Sequence, residues 1–158
     1  MGVKAKIPDS IRDLVLQEAG YQCAYCGHRD GLNLSMHHIE RERDGGSTDF
    51  YNLIALCFNC HNRVDETNSI TDKEIRRLKR HLVHRRLTQP GVNALKLAHE
   101  NRGGVIALPF LVQHLLDEDL LNYVDYQMAT DTATGEIEIT ALYTITDKGI
   151  DLLEKWIL

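Results

Sequence analysis

All four cysteines of the chain stand in two C-x-x-C pairs, Cys23 with Cys26 and Cys57 with Cys60, and two adjacent histidines, His37 and His38, lie between the pairs. Two such pairs supply the four thiolates of a tetrahedral structural zinc site. The 30 residues between Cys26 and Cys57 exceed the ~15–20 of a simple ribbon, so something is inserted between the knuckles. Imidazole is at once a proton acceptor near neutral pH and a metal ligand. The spacing therefore poses a choice: one structural metal site, or one such site wrapped around a second that does chemistry.

The elements that must position these groups follow from pattern. IPDSIRDLVLQEAG predicts a helix capped by Ser10 or Asp9, with Ile11, Leu14, Val15 and Leu16 as its apolar face and Gly20 as its end. Gly27 lets the first knuckle turn. LNLSMHHI sets Leu32, Leu34, Met36 and His38 against Asn33, Ser35, His37 and Ile39, the alternation of a strand that ends on the histidine pair. ERERDGGSTD is a loop turning at Gly45 and Gly46, NLIALC a short apolar strand, and NCHNRVDE the start of a helix with Asn59 as cap. The order is strand, loop, strand, helix.

Residues 8–85, through GYQCAYCG, HHI, GG, NLIALCFNCH and a following basic helix, resemble the HNH endonucleases. The resemblance implies a ββα-metal nuclease module stapled by the four-cysteine zinc site, with the family's namesake residues falling on His38, Asn52 and His61. In that reading His38 is the general base, His37 and His61 hold a catalytic divalent ion, and Asn52 holds the loop so that His38 faces the phosphate. Asp65 lies four residues beyond His61, on the same helical face, and offers a third ligand. Phosphodiester hydrolysis asks for such a set: a base for the water, and a cation for the transition-state charge and the leaving oxygen. Mg2+ or Mn2+ is the first expectation for that ion, with Ni2+ or Zn2+ as the alternative. The chain departs from many relatives at Arg41, where they have proline, and at Val64, where they have lysine with Arg63 as the nearest substitute; neither change touches a proposed catalytic group.

The segment TDKEIRRLKRHLVHRR predicts a helix opened by a Thr71–Glu74 capping box, with Ile75, Leu78, Leu82 and Val83 as its apolar stripe. Seven cations against one Glu in residues 73–86 suggest phosphate contacts. Arg63, Lys73, Arg76, Arg77, Lys79 and Arg80 are the candidate nucleic-acid-binding residues, positioning DNA without reading its sequence.

A net charge of −5 over 158 residues conceals an asymmetry: 14 Lys+Arg against 12 Asp+Glu in residues 1–90, and 4 against 11 in residues 91–158. Two electrical characters suggest two domains, 1–90 and 91–158, joined at TQPGVN. The second half reads as VNALKLAHENRG and PFLVQHLLDEDLL helices, NYVDYQMAT and EIEITALYTIT strands around DTATGE, and a closing helix with Ile150, Leu153 and Ile157 as its apolar face. Its YTITDKGIDLLEKW ending resembles a winged-helix domain. The acidic balance disfavours phosphate binding there, so the expectation is a partner-binding or dimerisation domain, for a homodimer or a larger complex.

The expected fold class is α+β throughout. MGVKAKIPDS has no apolar segment of signal type, Lys6 stands where a myristoylation signal has Ser or Thr, and GGVIALPFLVQHLL is too short to span a bilayer. The expectation is an intracellular, cytoplasmic protein of bacterial or phage origin with no membrane contact, in a defence, phage or mobile-element setting. The competing reading, from a different class, is a non-catalytic zinc module that binds nucleic acid or a partner protein.

Overall fold

The computed structural model describes residues 6–29, 33–102, 104–130, 133–135 and 137–158. Leu32 and part of the DTATGE turn lie outside the described residues. The chain divides into two compact units, Met1–Val83 and His84–Leu158, and each is α+β.

The first unit opens with helix α1, Asp9–Glu18, whose cap position is Pro8, with no side-chain cap among the described residues. Ser10 and Asp9, expected as caps, stand inside the helix instead. Pro8 explains this: its fixed φ presets the chain for helical entry, and its carbonyl accepts the first helical bond, from Arg12 N at 3.0 Å. Val15 and Leu16 are buried as expected, whereas Leu14 faces outward. Gly20 ends the helix at φ 66, in the left-handed region that glycine enters without penalty.

Strands β1, Leu34–His38, and β2, Leu53–Cys57, pair antiparallel with His37 opposite Ile54 and His38 opposite Leu53. Every residue of β2 is buried, which means that both faces of the hairpin are covered. On β1 the buried residues are Leu34 and His37, with Ile39 just beyond, not the single alternating set read from the sequence. Helix α2, Phe58–Asp65, leaves β2 with no intervening loop. Cys57 therefore takes the cap position, and Asn59, expected there, lies in the first turn.

Helix α3, Asp72–Glu100, begins with the capping box: Thr71 N donates to Glu74 Oε2 at 2.8 Å and Glu74 N to Thr71 Oγ1 at 3.3 Å. It breaks at Thr88 (φ 61, ψ 160), two residues before Pro90. The Thr88 hydroxyl accepts from Gly91 N at 3.4 Å, so the second half is capped afresh rather than continued.

Lys79 corrects an expectation. It is not on the solvated basic face but 0% exposed, with Nζ 2.6 Å from Glu18 Oε2 and 3.1 Å from the Phe50 carbonyl. Its ammonium also lies 4.3 Å from the centre of the Phe50 ring. This one residue ties α3 to α1 and to the short 3-10 turn Phe50–Asn52.

In the second unit, strands β3 (Val105–Ala107), β4 (Leu121–Thr130) and β5 (Ile137–Ile145) form an antiparallel sheet in the order β3-β5-β4. Helix α4, Pro109–Asp117, lies between β3 and β4 in sequence, and α5, Asp147–Trp156, follows β5. Thr146 caps α5 by accepting from Gly149 N at 2.9 Å. The buried face of α5 is Leu152, Leu153 and Trp156, with Ile157 just beyond; Ile150 is only half-buried, so the face is rotated from the one expected. Among the described residues no helix is long and apolar enough to cross a membrane.

The buried pair yields a stability expectation. Lys79→Ala leaves the Glu18 carboxylate in the core without its ammonium partner and is expected to cost about 3–5 kcal/mol, whereas the double change Glu18→Leu, Lys79→Met is expected to cost far less. Denaturant titration of the three proteins checks this; equal losses for single and double variants would refute it.

Candidate metal centre and catalytic cleft

The two C-x-x-C pairs meet. The sulfurs of Cys23, Cys26, Cys57 and Cys60 all lie within 4.8 Å of one another, and Cys26 Sγ is 3.7 Å from Cys57 Sγ. A disulfide needs ~2.05 Å, whereas tetrahedral Zn–S bonds of ~2.3 Å set sulfurs ~3.8 Å apart. Local folding explains the convergence. The first pair turns at Gly27 (φ 74), with Gly27 N donating to Cys23 O at 2.9 Å, and Ala24 N joins the hairpin through Ala55 O at 2.9 Å. The second pair spans the junction of β2 and α2.

The thiols are not electrically equivalent. Burial raises the Cys23 thiol, but backbone N–H groups of Cys26, Cys57 and Tyr25 outweigh it, leaving Cys23 lowered to about 7. Cys60 is pushed up, by burial first and then by the neighbouring sulfurs. A divalent cation is what makes four adjacent thiolates compatible, so the donor set fits a structural zinc ion.

A second cluster lies at the other end of α2. His37, on β1, and His61 and Asp65, on α2, bring ligand atoms within 4.8 Å of one another. Asp65 is the hub: Oδ2 is 3.1 Å from His61 Nδ1, and Oδ1 is 3.8 Å from His37 Nδ1 and 3.9 Å from Arg41 Nη2. The two imidazole rings meet edge to face, with centres 5.1 Å apart at 85°. Burial lowers the His37 pKa, against the upward pull of Asp65, and so favours the neutral form that carries a ligand lone pair. Two imidazoles and one carboxylate suit a divalent ion.

His37, His38, His61 and Asp65 line one cleft of 490 Å³, with Arg41 and Glu42 on its wall. His38 Nε2 lies 3.3 Å from Thr48 Oγ1 and 3.5 Å from Glu42 Oε1.

Asn52 is 0% exposed and closes the loop between the strands. Its Oδ1 accepts from Glu40 N at 2.9 Å, while Nδ2 donates to Glu40 O at 2.9 Å and to Ser47 O at 2.7 Å. Gly46 lies against this bracket so closely that any Cβ there would collide with the Glu40 carbonyl.

Of the expected nucleic-acid contacts, Arg63, Lys73, Arg76, Arg77 and Arg80 are exposed. Arg63 lies over the Tyr25 ring at 5.5 Å and donates to Ser69 Oγ at 3.2 Å. Arg41, Glu42 and Thr48 were not among the expected site residues; their only signal is their place in the loop after the histidine pair.

Two expectations follow. Cys60→Ser is expected to lose zinc and, with it, most of the α2 helical signal, checked by metal content and far-ultraviolet circular dichroism; retention of both would exclude the shared-cation reading of the four sulfurs. Gly46→Ala is expected to destabilise the fold by about 1–3 kcal/mol, since the loop must yield at the Glu40 carbonyl. Thermal unfolding reads this, and an unchanged midpoint would contradict it.

None of the curated proteins matches the chain. The family comparison does: residues 23–67, a stretch that holds all four cysteines together with His37, His38, Asn52, His61 and Asp65, match the family model for the HNH endonuclease, and the first unit carries an HNH domain.

Proposed function

We propose that the chain is a metal-dependent endonuclease that hydrolyses phosphodiester bonds of DNA, with His38 as general base. The observation that carries the reading is the convergence of His37, His61 and Asp65 on the cleft whose wall also holds His38. A divalent ion bound there supplies Lewis acidity toward the phosphate and its leaving oxygen. His37 and His61 offer ring nitrogens to it and Asp65 a carboxylate oxygen. His38, adjacent to a ligand yet outside the cluster, takes the proton of the attacking water. Asn52 holds the backbone on both sides of the glycine turn, so the base is fixed before substrate arrives. Arg41, on the cleft wall, adds positive charge where a phosphate would lie.

Lys73, Arg76, Arg77 and Arg80 are proposed to engage the DNA backbone, without Lys79. The acidic second unit is proposed to meet a protein partner; exposed Tyr123, Val124, Tyr126 and Met128 on β4 support contact with something less charged than DNA.

Cleavage of plasmid by the zinc-loaded protein tests the reading, across Mg2+, Mn2+, Ni2+ and chelator. Metal-dependent cutting that falls about 10²–10⁴-fold in folded His38→Ala is expected. A folded, zinc-bound protein that fails to cut whichever metal is supplied would instead favour the non-catalytic binding module. In DNA titrations at several salt concentrations, Arg76→Ala and Arg77→Ala are each expected to reduce the salt slope by about 1, and Lys79→Met to leave it unchanged.

A further inference from the structure

Only one ring nitrogen of His38 can carry the lone pair of a base, and the surroundings of the ring select it. Nε2 faces Thr48 Oγ1 at 3.3 Å and Glu42 Oε1 at 3.5 Å, and Thr48 Oγ1 in turn lies 3.3 Å from the same Glu42 oxygen. The direction of this triangle follows from its carboxylate corner. A carboxylate only accepts, so the Thr48 hydroxyl donates its proton to Glu42 and turns lone pairs toward the imidazole. Facing lone pairs on both neighbours, Nε2 must be the N–H nitrogen, and in the neutral ring the free pair is then on Nδ1.

We infer that Glu42 and Thr48 are positioning residues that fix the proton of His38 on Nε2 and so make Nδ1 the atom that accepts the proton of water. The second half of this inference rests on the nuclease reading; the first does not. The loop is built to hold the arrangement. Asn52 grips Ser47 through Nδ2 at 2.7 Å, and Asp49 Oδ1 accepts from Asn52 N at 2.9 Å, so Thr48 is pinned by both its neighbours. Glu42 opens the 3-10 turn Glu42–Asp44, which Gly45 closes at φ 92. The contacts, at 3.3–3.5 Å, are longer than ordinary hydrogen bonds, as is common at catalytic groups before ligand binds.

The test uses the full-length zinc-loaded chain labelled with 15N-histidine, at a pH of about 8 where imidazole is neutral. Two-bond proton–nitrogen correlation reads the tautomer of each ring, and His38→Gln identifies the His38 signals. The expected result is Nε2–H for His38, a mixture of tautomers in Thr48→Val and Glu42→Gln, and return to Nε2–H in Thr48→Ser. In Mg2+-supported cleavage, Thr48→Val and Glu42→Gln are expected to lower kcat about 10–100-fold with KM and metal dependence unmoved, and Thr48→Ser to restore most of the rate. An Nδ1–H ring in the unmodified chain overturns the inference. So does a variant that slows cleavage while the His38 tautomer stays pure, since that outcome assigns the loop a merely structural role. Should no form of the chain cut DNA, the nuclease reading fails, while the tautomers still decide whether Glu42 and Thr48 set the proton on His38.

Discussion

The carboxamide of Asn52 has one acceptor and two donor hydrogens, and all are committed to the loop that follows β1: both backbone groups of Glu40 and the carbonyl of Ser47. A buried amide left half-satisfied would cost more than it contributes, and this one is complete. Most of the cleft depends on that closure. It fixes where the chain leaves His38, forces a glycine at position 46, and sets Thr48 beside the imidazole. Lys79 supports the same bracket from behind, since its ammonium holds the Phe50 carbonyl at the start of the turn that contains Asn52.

The electrostatics divide into two regimes. Behind the hairpin, Glu18 and Lys79 are a fully buried ion pair, whose value lies in joining three elements rather than in net stabilisation, because two charges have been taken out of water. In the cleft, Asp65 is 38% exposed and has two imidazoles and a guanidinium within 4 Å. A carboxylate so placed exchanges partners at low cost. Its partners can change without stranding a buried charge, which the Glu18–Lys79 pair does not allow.

Much of the site was legible because its chemistry is local in sequence. The cysteine spacing announced a cluster of four sulfurs, the alternating run led to the histidine pair, and four residues of helix put Asp65 beside His61. The failures were long-range. Lys79 looked like one more cation on a basic helix, since the partner that draws it inward, Glu18, is 61 residues away. Met36 and His37 could not be sorted by alternation because the hairpin is covered on both faces, and period two identifies a face only when one side is wet. Asn59 looked like a cap because sequence does not reveal that β2 runs into α2 without a loop. The three-residue β3 is too short to carry any periodicity.

The direct passage from β2 into α2 also explains why the four-cysteine cluster and the histidine-lined cleft share one small module. At eight residues, α2 is far below the length at which an isolated helix is stable in water. Its first turn is held by Cys57 and Cys60, and His61 follows Cys60 in the chain, so whatever fixes the sulfurs fixes the direction from which His61 enters the cleft. Asp65 ends the same helix, one turn further on. His61 and Asp65 are thus both referenced to the cysteine cluster, and His37 is referenced to it through the β1–β2 register, in which Leu34 pairs with Cys57 and His37 with Ile54. The insertion of 30 residues between the knuckles is then neither decoration nor a separate domain. It carries a strand out to the histidine pair, turns it through a loop fastened by Asn52, and returns it to the second pair of cysteines.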